Sequence, residues 1–155
     1  MSEPNPAQRF IGAIPHAKAL GMQLESVAPG KAVMSMPYDE RFIGDPATGV
    51  ISGGAVSALM DTCCGGAVLA HPGASGTATL DLRIEYMRAA RAGERIIARA
   101  ECFHVTRTVA FVRAVAHDET SAAEDGLPVA TATGSFTLDA GKPRPGPKPI
   151  VEAEQ

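Results

Sequence analysis

The chain has 155 residues, enough for one domain of ordinary size and too few for two comfortable ones. Apolar residues make up 45% and charged residues 20%, with a mean hydropathy of +0.04, the profile of a globular rather than a disordered protein. Lys and Arg number 14 against 17 Asp and Glu, a net charge of -3, and there are no Trp, five Phe and two Tyr; both a basic nucleic-acid footprint and a base-stacking platform are excluded.

Residues 1–20 read as a polar lead-in with a short helical segment, punctuated by Pro4, Pro6 and Pro15. The opening MSEPNPAQRF has neither the basic nor the apolar region of a signal peptide. Met22–Val27 and Lys31–Met36 are short strand candidates split by the turn signal Pro29-Gly30. Val50 to Ala70 is small and apolar, but Asp61 near its middle argues against a membrane span. A buried helix from Gly53 to about Ala70, roughly 27 Å long, fits better, apolar nearly all round as in a helix surrounded by protein.

Four strands of period-2 alternation follow. Over Thr77–Tyr86, Leu80, Leu82, Ile84 and Tyr86 share a face, with Thr79, Asp81, Arg83 and Glu85 on the other. Ile96, Ala98, Ala100 and Cys102 do so over Glu94–Val105, and Ala110, Val112, Ala114 and Ala116 over Thr108–His117. In Pro128–Leu138 the inward set is Ala130, Ala132, Gly134, Phe136 and Leu138. This is an antiparallel sheet with one packed face, and its Ala and Gly residues let a helix approach closely. The fold class is therefore α+β, one long central helix wrapped by a curved antiparallel sheet, over residues 21–139. Residues 140–155, with prolines at 143, 145, 147 and 149, read as a disordered tail.

Asp61 is the only charged residue between Pro46 and Leu80. Burying a lone carboxylate is expensive unless it is hydrogen-bonded or opens on a wet cleft, so it is a candidate general base or nucleophile; the bland alternative is a helix cap or kink. Ser52-Gly53-Gly54 at the helix start supplies an N-cap and uncovered amides that can hold an oxyanion, although the tripeptide alone marks an ordinary helix start before it marks a site. Gly53 and Asp61 are separated by about 12 Å along one helix, too far to serve one carbonyl. If both act, the two must come from antiparallel helices of two chains.

The adjacent Cys63 and Cys64 do not form a C-x-x-C motif and read as core residues, and three cysteines in all point to a reduced, cytoplasmic protein. His16, His71, His104 and His117 lack metal-ligand spacing, and no G-x-S-x-G is present. No metal and no cofactor is implied.

The runs GVISGGAVSALMDTCCGGAV, TLDLRIEYMRAARAGE, HVTRTVAFVRA and VATATGSFTL resemble the hot-dog-fold acyl-CoA thioesterases of the phenylacetate-degradation type, over roughly residues 10 to 139. In that family the helix opens with His-Gly-Gly and carries an acid nine positions after the His; here Ser52, Gly53, Gly54 and Asp61 stand at those places. The Asn usual six residues before the His falls on Pro46. The resemblance implies a homodimer joined edge to edge, often a dimer of dimers, acting on acyl-CoA, while the charge balance and Asp61 argue against nucleic-acid and membrane partners. It also implies that the glycine amide polarises the thioester carbonyl and that Asp61 of the other subunit activates water or attacks. Thr79 falls at the water-positioning Ser or Thr, and Ser52 at a substrate-binding position. Arg107, in the turn between the second and third of the four strands, is a contact for CoA phosphates. Arg88, Arg91 and Arg95 read as a solvated turn, with Arg88 and Arg91 able to face the anionic CoA tail. The alternative is a non-catalytic acyl-CoA or acyl-ligand binding protein of the same fold, and a hydratase, which needs an Asp/His pair, ranks below both.

Overall fold

A computed structural model describes residues 5–141. Helix α1 (Pro6–Ala13) is capped by Asn5, whose side chain accepts from the Ala7 amide at 2.9 Å while Gln8 accepts from the Asn5 amide at 3.1 Å. Pro15 then opens a second helix, α2 (Pro15–Ala19), so the single expected helical segment is two, divided where a proline fits a first turn. Strands β1 (Gln23–Ala28) and β2 (Lys31–Met36) form a hairpin across Pro29-Gly30. A 3-10 turn (Glu40–Phe42) leads into a small ribbon, β3 (Ile43–Asp45) with β4 (Val50–Ile51), which carries no alternation long enough to read from sequence.

Helix α3 (Gly53–Leu69) follows. Next come β5 (Ala74–Gly76), β6 (Thr79–Tyr86), β7 (Ile96–Val105) and β8 (Val109–Asp118), then a short α4 (Glu119–Ala123), β9 (Ala130–Thr137) and β10 (Asp139–Ala140). Six strands make one antiparallel sheet in the order β1-β2-β7-β8-β9-β6, and its inner face lies on α3. This is the hot-dog arrangement. Ala140 pairs with Ala74 in the β10–β5 ribbon, so it belongs to the fold and not to the tail; residues 142–155 of that tail lie outside the described residues.

The core is the contact between α3 and the Ala-rich faces of β2, β7 and β8. Leu59, Met60, Cys63, Cys64 and Val68 of the helix meet Ala32, Met34, Ala98, Val112 and Ala116, all buried. Small sheet residues let the helix sit deep, and the helix reciprocates at Gly66: a Cβ there would lie 3.2 Å from Ile11 Cδ1 and 3.5 Å from Ala32 Cβ. The helix is nevertheless not enclosed along its whole length. Residues 63–69 are buried on every side, whereas Gly54, Ser57, Ala58, Asp61 and Thr62 form an open stripe at helical spacing on the N-terminal half. The sheet covers one side of that half, and the stripe on the other is only partly covered: Gly54 is exposed and the other four are half-buried.

Strand β6 is a sheet edge with β9 as its one neighbour. Leu82 and Ile84 are half-buried, but Leu80 is 58% and Tyr86 50% exposed, so the packed face expected for all four is only partly packed within one chain.

Candidate active site

The start of α3 is built by the ribbon before it. The Ser52 amide donates to the Phe42 carbonyl at 2.8 Å, which holds Ser52 in the extended conformation of an N-cap. Its Oγ accepts from the Gly54 amide at 3.2 Å, and its carbonyl accepts from the Ala55 and Val56 amides at 3.1 and 3.3 Å. Gly53 and Gly54 are both exposed, and the Gly53 amide has no acceptor among the described residues. It is the uncovered donor, with the positive end of the helix behind it. Gly54, expected as a second donor, is already engaged by the Ser52 cap.

Beside Gly53 a cleft of about 270 Å³ runs between the helix start and the segment after β6, walled by Val50, Ile51, Val56, Met87, Ala90 and Val129. On the other flank, Ser52 and Gly54 border a hollow of about 350 Å³ with His16, Leu20, Arg41 and Phe42. A larger hollow of about 540 Å³ lies on the outer face of the sheet, along Val33, Arg99, Glu101, Arg113 and Thr131, away from Gly53 and Asp61.

Asp61 lies two turns further along α3, half-exposed on the open stripe rather than isolated in the core. Thr79 Oγ1 donates to its Oδ1 at 2.7 Å. Simple alternation would turn Thr79 away from the helix, onto the face opposite Leu82. A β-bulge prevents this: Thr79 pairs with Phe136 and Asp81 with Ser135, leaving Leu80 as the extra residue. Opposed residues share a face, so Thr79 joins the buried Phe136 on the helix side and Leu80 is thrown outward. Oδ2 of Asp61 has no partner among the described residues.

The structure thus joins Asp61 with Thr79, and Ser52 with Gly53 and Gly54, but leaves the two groups at separate points along α3. Arg88 belongs to neither. Its side chain donates to the Leu127 and Ala89 carbonyls and forms an ion pair with the wholly buried Asp118, at 2.6 Å to Oδ2 and 3.1 Å to Oδ1. The solvated turn expected from the sequence is here a structural clamp, because a buried carboxylate needs its partner. Burial pushes the Asp118 carboxyl up, yet donation from Arg88, the Arg91 amide and Ser121 outweighs this and holds it well below the usual carboxylate range. Arg91 keeps an exposed side chain in the same loop, and Arg107 is exposed in the β7–β8 turn.

Other chemistry is absent from the described residues. No group of three or more His, Cys, Asp or Glu is placed to hold a metal, and no helix is long and apolar enough to cross a membrane. Burial pushes the Cys63 thiol up to about 12 and the Cys64 thiol well up, so neither is a nucleophile near neutral pH.

Sequence reasoning overlooked Asp118, Ser57 and Tyr86. Asp118 is an N-cap for α4 through the Ser121 amide, a readable signal hidden at the end of a strand. Ser57 stands four residues before Asp61 on the same helix face, which spacing alone reveals. Tyr86 donates to the Gly53 carbonyl at 2.6 Å across 33 residues of sequence, a contact that only the fold creates.

Known proteins are similar to this chain in fold and sequence. A family model described as the thioesterase superfamily matches residues 48–124. A Halobacterium salinarum protein assigned as an esterase is 36% identical over 125 residues, 77% of this chain and 81% of its own. The medium/long-chain acyl-CoA thioesterase YigI of Escherichia coli is 27% identical over 145 residues, 84% of this chain and 90% of its own. Among solved structures, the Escherichia coli PaaI protein of the phenylacetic acid degradation operon has the same fold, with a TM-score of 0.76 at 20% identity over 88% of this chain and 92% of that one.

Proposed function

The chain belongs to the thioesterase superfamily and is a thioester hydrolase, and from that premise we propose that it cleaves acyl-CoA to a carboxylic acid and free CoA at a site shared by two subunits. The observation that carries this reading is the pairing of Thr79 with Asp61: one carboxylate oxygen is held, and the other is left for a proton. The thioester carbonyl oxygen accepts from the Gly53 amide, which stabilises the negative charge that develops as the carbon becomes tetrahedral. Water adds to that carbon, its proton passes to Asp61, the C–S bond breaks and the sulfur leaves as CoA thiolate, which the same proton then neutralises. Direct attack by Asp61 is the alternative course; it would pass through a mixed anhydride, and holding one oxygen on Thr79 favours the water route.

The acyl chain enters the apolar cleft beside Gly53, whose modest size fits a short to medium chain in one protomer. Arg91 and Arg107 remain as the cations for CoA phosphates; Arg88 is committed to Asp118. Two subunits supply what one cannot, since Gly53 and Asp61 of one helix are about 12 Å apart. The edge strand β6, which leaves Leu80 and Tyr86 exposed, is where a second copy continues the sheet. The test is thiol release from a panel of short, medium, long and aromatic acyl-CoAs. Turnover of at least one class, with none of the corresponding oxygen esters needed, supports the reading; no release from any of them refutes it.

A further inference from the structure

Two adjacent glycines make the first turn of α3 its softest part, because glycine gives up the most backbone freedom on folding. An amide that stabilises an oxyanion must be aimed before the charge appears, so this soft turn has to be held from outside. From the helix side, Ser52 does so through its Oγ on the Gly54 amide and its carbonyl under Ala55 and Val56. From the sheet side, the holder is Tyr86 at the end of β6. Its hydroxyl donates to the Gly53 carbonyl at 2.6 Å and is also hydrogen-bonded to Ser57 Oγ. A carbonyl has no proton to give, so the single Tyr86 proton is committed to Gly53 and Ser57 must be the donor to Tyr86. The three groups form one directed chain, Ser57 to Tyr86 to Gly53. The Tyr86 ring also lies flush with the turn: a Cβ on Gly53 would sit 3.3 Å from its Cζ.

We propose that Tyr86, held by Ser57, is a positioning residue that pins the Gly53 peptide between helix and sheet and so aims the Gly53 amide at the thioester oxygen. The inference rests on that amide being the oxyanion donor. Tyr86 touches no reacting atom; it acts through Gly53. Loss of the hydroxyl leaves the ring and the cleft wall in place, so substrate still binds, and the cost falls on the transition state.

The test is Tyr86→Phe, Ser57→Ala and the double variant, assayed by thiol release and by amide hydrogen exchange. Tyr86→Phe should lower kcat roughly tenfold with KM nearly unchanged. Ser57→Ala should lower kcat less, and adding it to Tyr86→Phe should cost little more, as expected of residues acting in one chain. Exchange of the Gly54 amide, which donates to Ser52 Oγ across the same turn, should quicken in Tyr86→Phe while residues 63–69 stay protected. An unchanged kcat, or a loss confined to KM or to Tm, overturns the proposal. Should the wild type cleave no acyl-CoA, the proposed function fails by itself. The exchange measurement still decides the pin: faster exchange supports it and unchanged exchange overturns it.

Discussion

Replacement of Asp61 by Asn isolates the charge from the contact. Thr79 Oγ1 donates to Asp61 Oδ1 at 2.7 Å, and an Asn carbonyl oxygen accepts the same bond, so the local geometry survives. What disappears is the basicity of the second oxygen. A general base contributes about 10²- to 10⁴-fold, so kcat should fall by at least about 10²-fold, or about 2.7 kcal/mol of transition-state stabilisation. Stability should move by less than about 0.5 kcal/mol, because Asn keeps the Thr79 bond and Asp61 makes no ion pair among the described residues. KM should change little, since the cleft walls and the cations lie elsewhere. Thiol release at saturating acyl-CoA measures the first expectation and thermal melting the second. Comparable turnover by the wild type and the Asn variant refutes the role of Asp61. A large drop in Tm with proportionate loss of activity would make it a structural residue instead.

Thr79→Val removes the hydroxyl while keeping the branched shape, and should lower kcat roughly tenfold, with Thr79→Ser restoring most of it in the same thiol-release assay. Asp118 has a folded pKa below its unfolded value of about 3.9, so its stabilisation is complete above that value and is lost as pH falls through the folded one. Asp118→Asn should therefore cost about 3–5 kcal/mol near neutral pH, by stranding Arg88, and should flatten the dependence of stability on pH below about pH 4. Urea melts of both proteins across that range check it, and parallel curves would contradict it.

The parts of the fold that follow from local rules were legible in the sequence. Alternation located β7, β8 and β9, the Pro29-Gly30 turn signal set off β2, and the Ser52 cap placed the start of α3 at Gly53, because side-chain period, turn chemistry and capping are properties of neighbouring residues. What depends on one strand meeting another was not legible. The bulge at Leu80 is a mismatch between β6 and β9, and it decides that Thr79 reaches Asp61. Alternation within β6 alone puts Thr79 on the wrong face. The commitment of Arg88 to Asp118 likewise spans 30 residues and shows only when the β6 loop packs on the end of β8. Asp61 was identified by its isolation among apolar neighbours, and for that reason was expected to be buried. Its half-exposure follows from the sheet, which covers one side of the N-terminal half of α3 and leaves the stripe on the other only partly covered.

That partly covered side makes the shared site testable by symmetry. If Gly53 of one helix faces Asp61 of an antiparallel partner, a two-fold axis makes the converse true, and position 57, midway between them, must lie on the axis. The stripe there is Gly54, Ser57, Ala58 and Asp61, small enough for two helices to approach. Each dimer then has two sites, each with Gly53 from one chain and Asp61 from the other. Gly53→Val crowds the amide against Tyr86 and blocks its approach to substrate; Asp61→Asn removes the base. Each variant alone should be nearly inactive. Co-refolded in equal amounts, half the dimers pair one of each, and every such dimer holds one intact site and one doubly defective site. The mixture should therefore recover about a quarter of wild-type turnover, measured by thiol release after mixing and compared with the two variants refolded apart. Recovery is impossible if both groups act within one chain, because no chain in the mixture carries both. A mixture no more active than its components, with mixed dimers confirmed by native mass spectrometry, would refute the shared site.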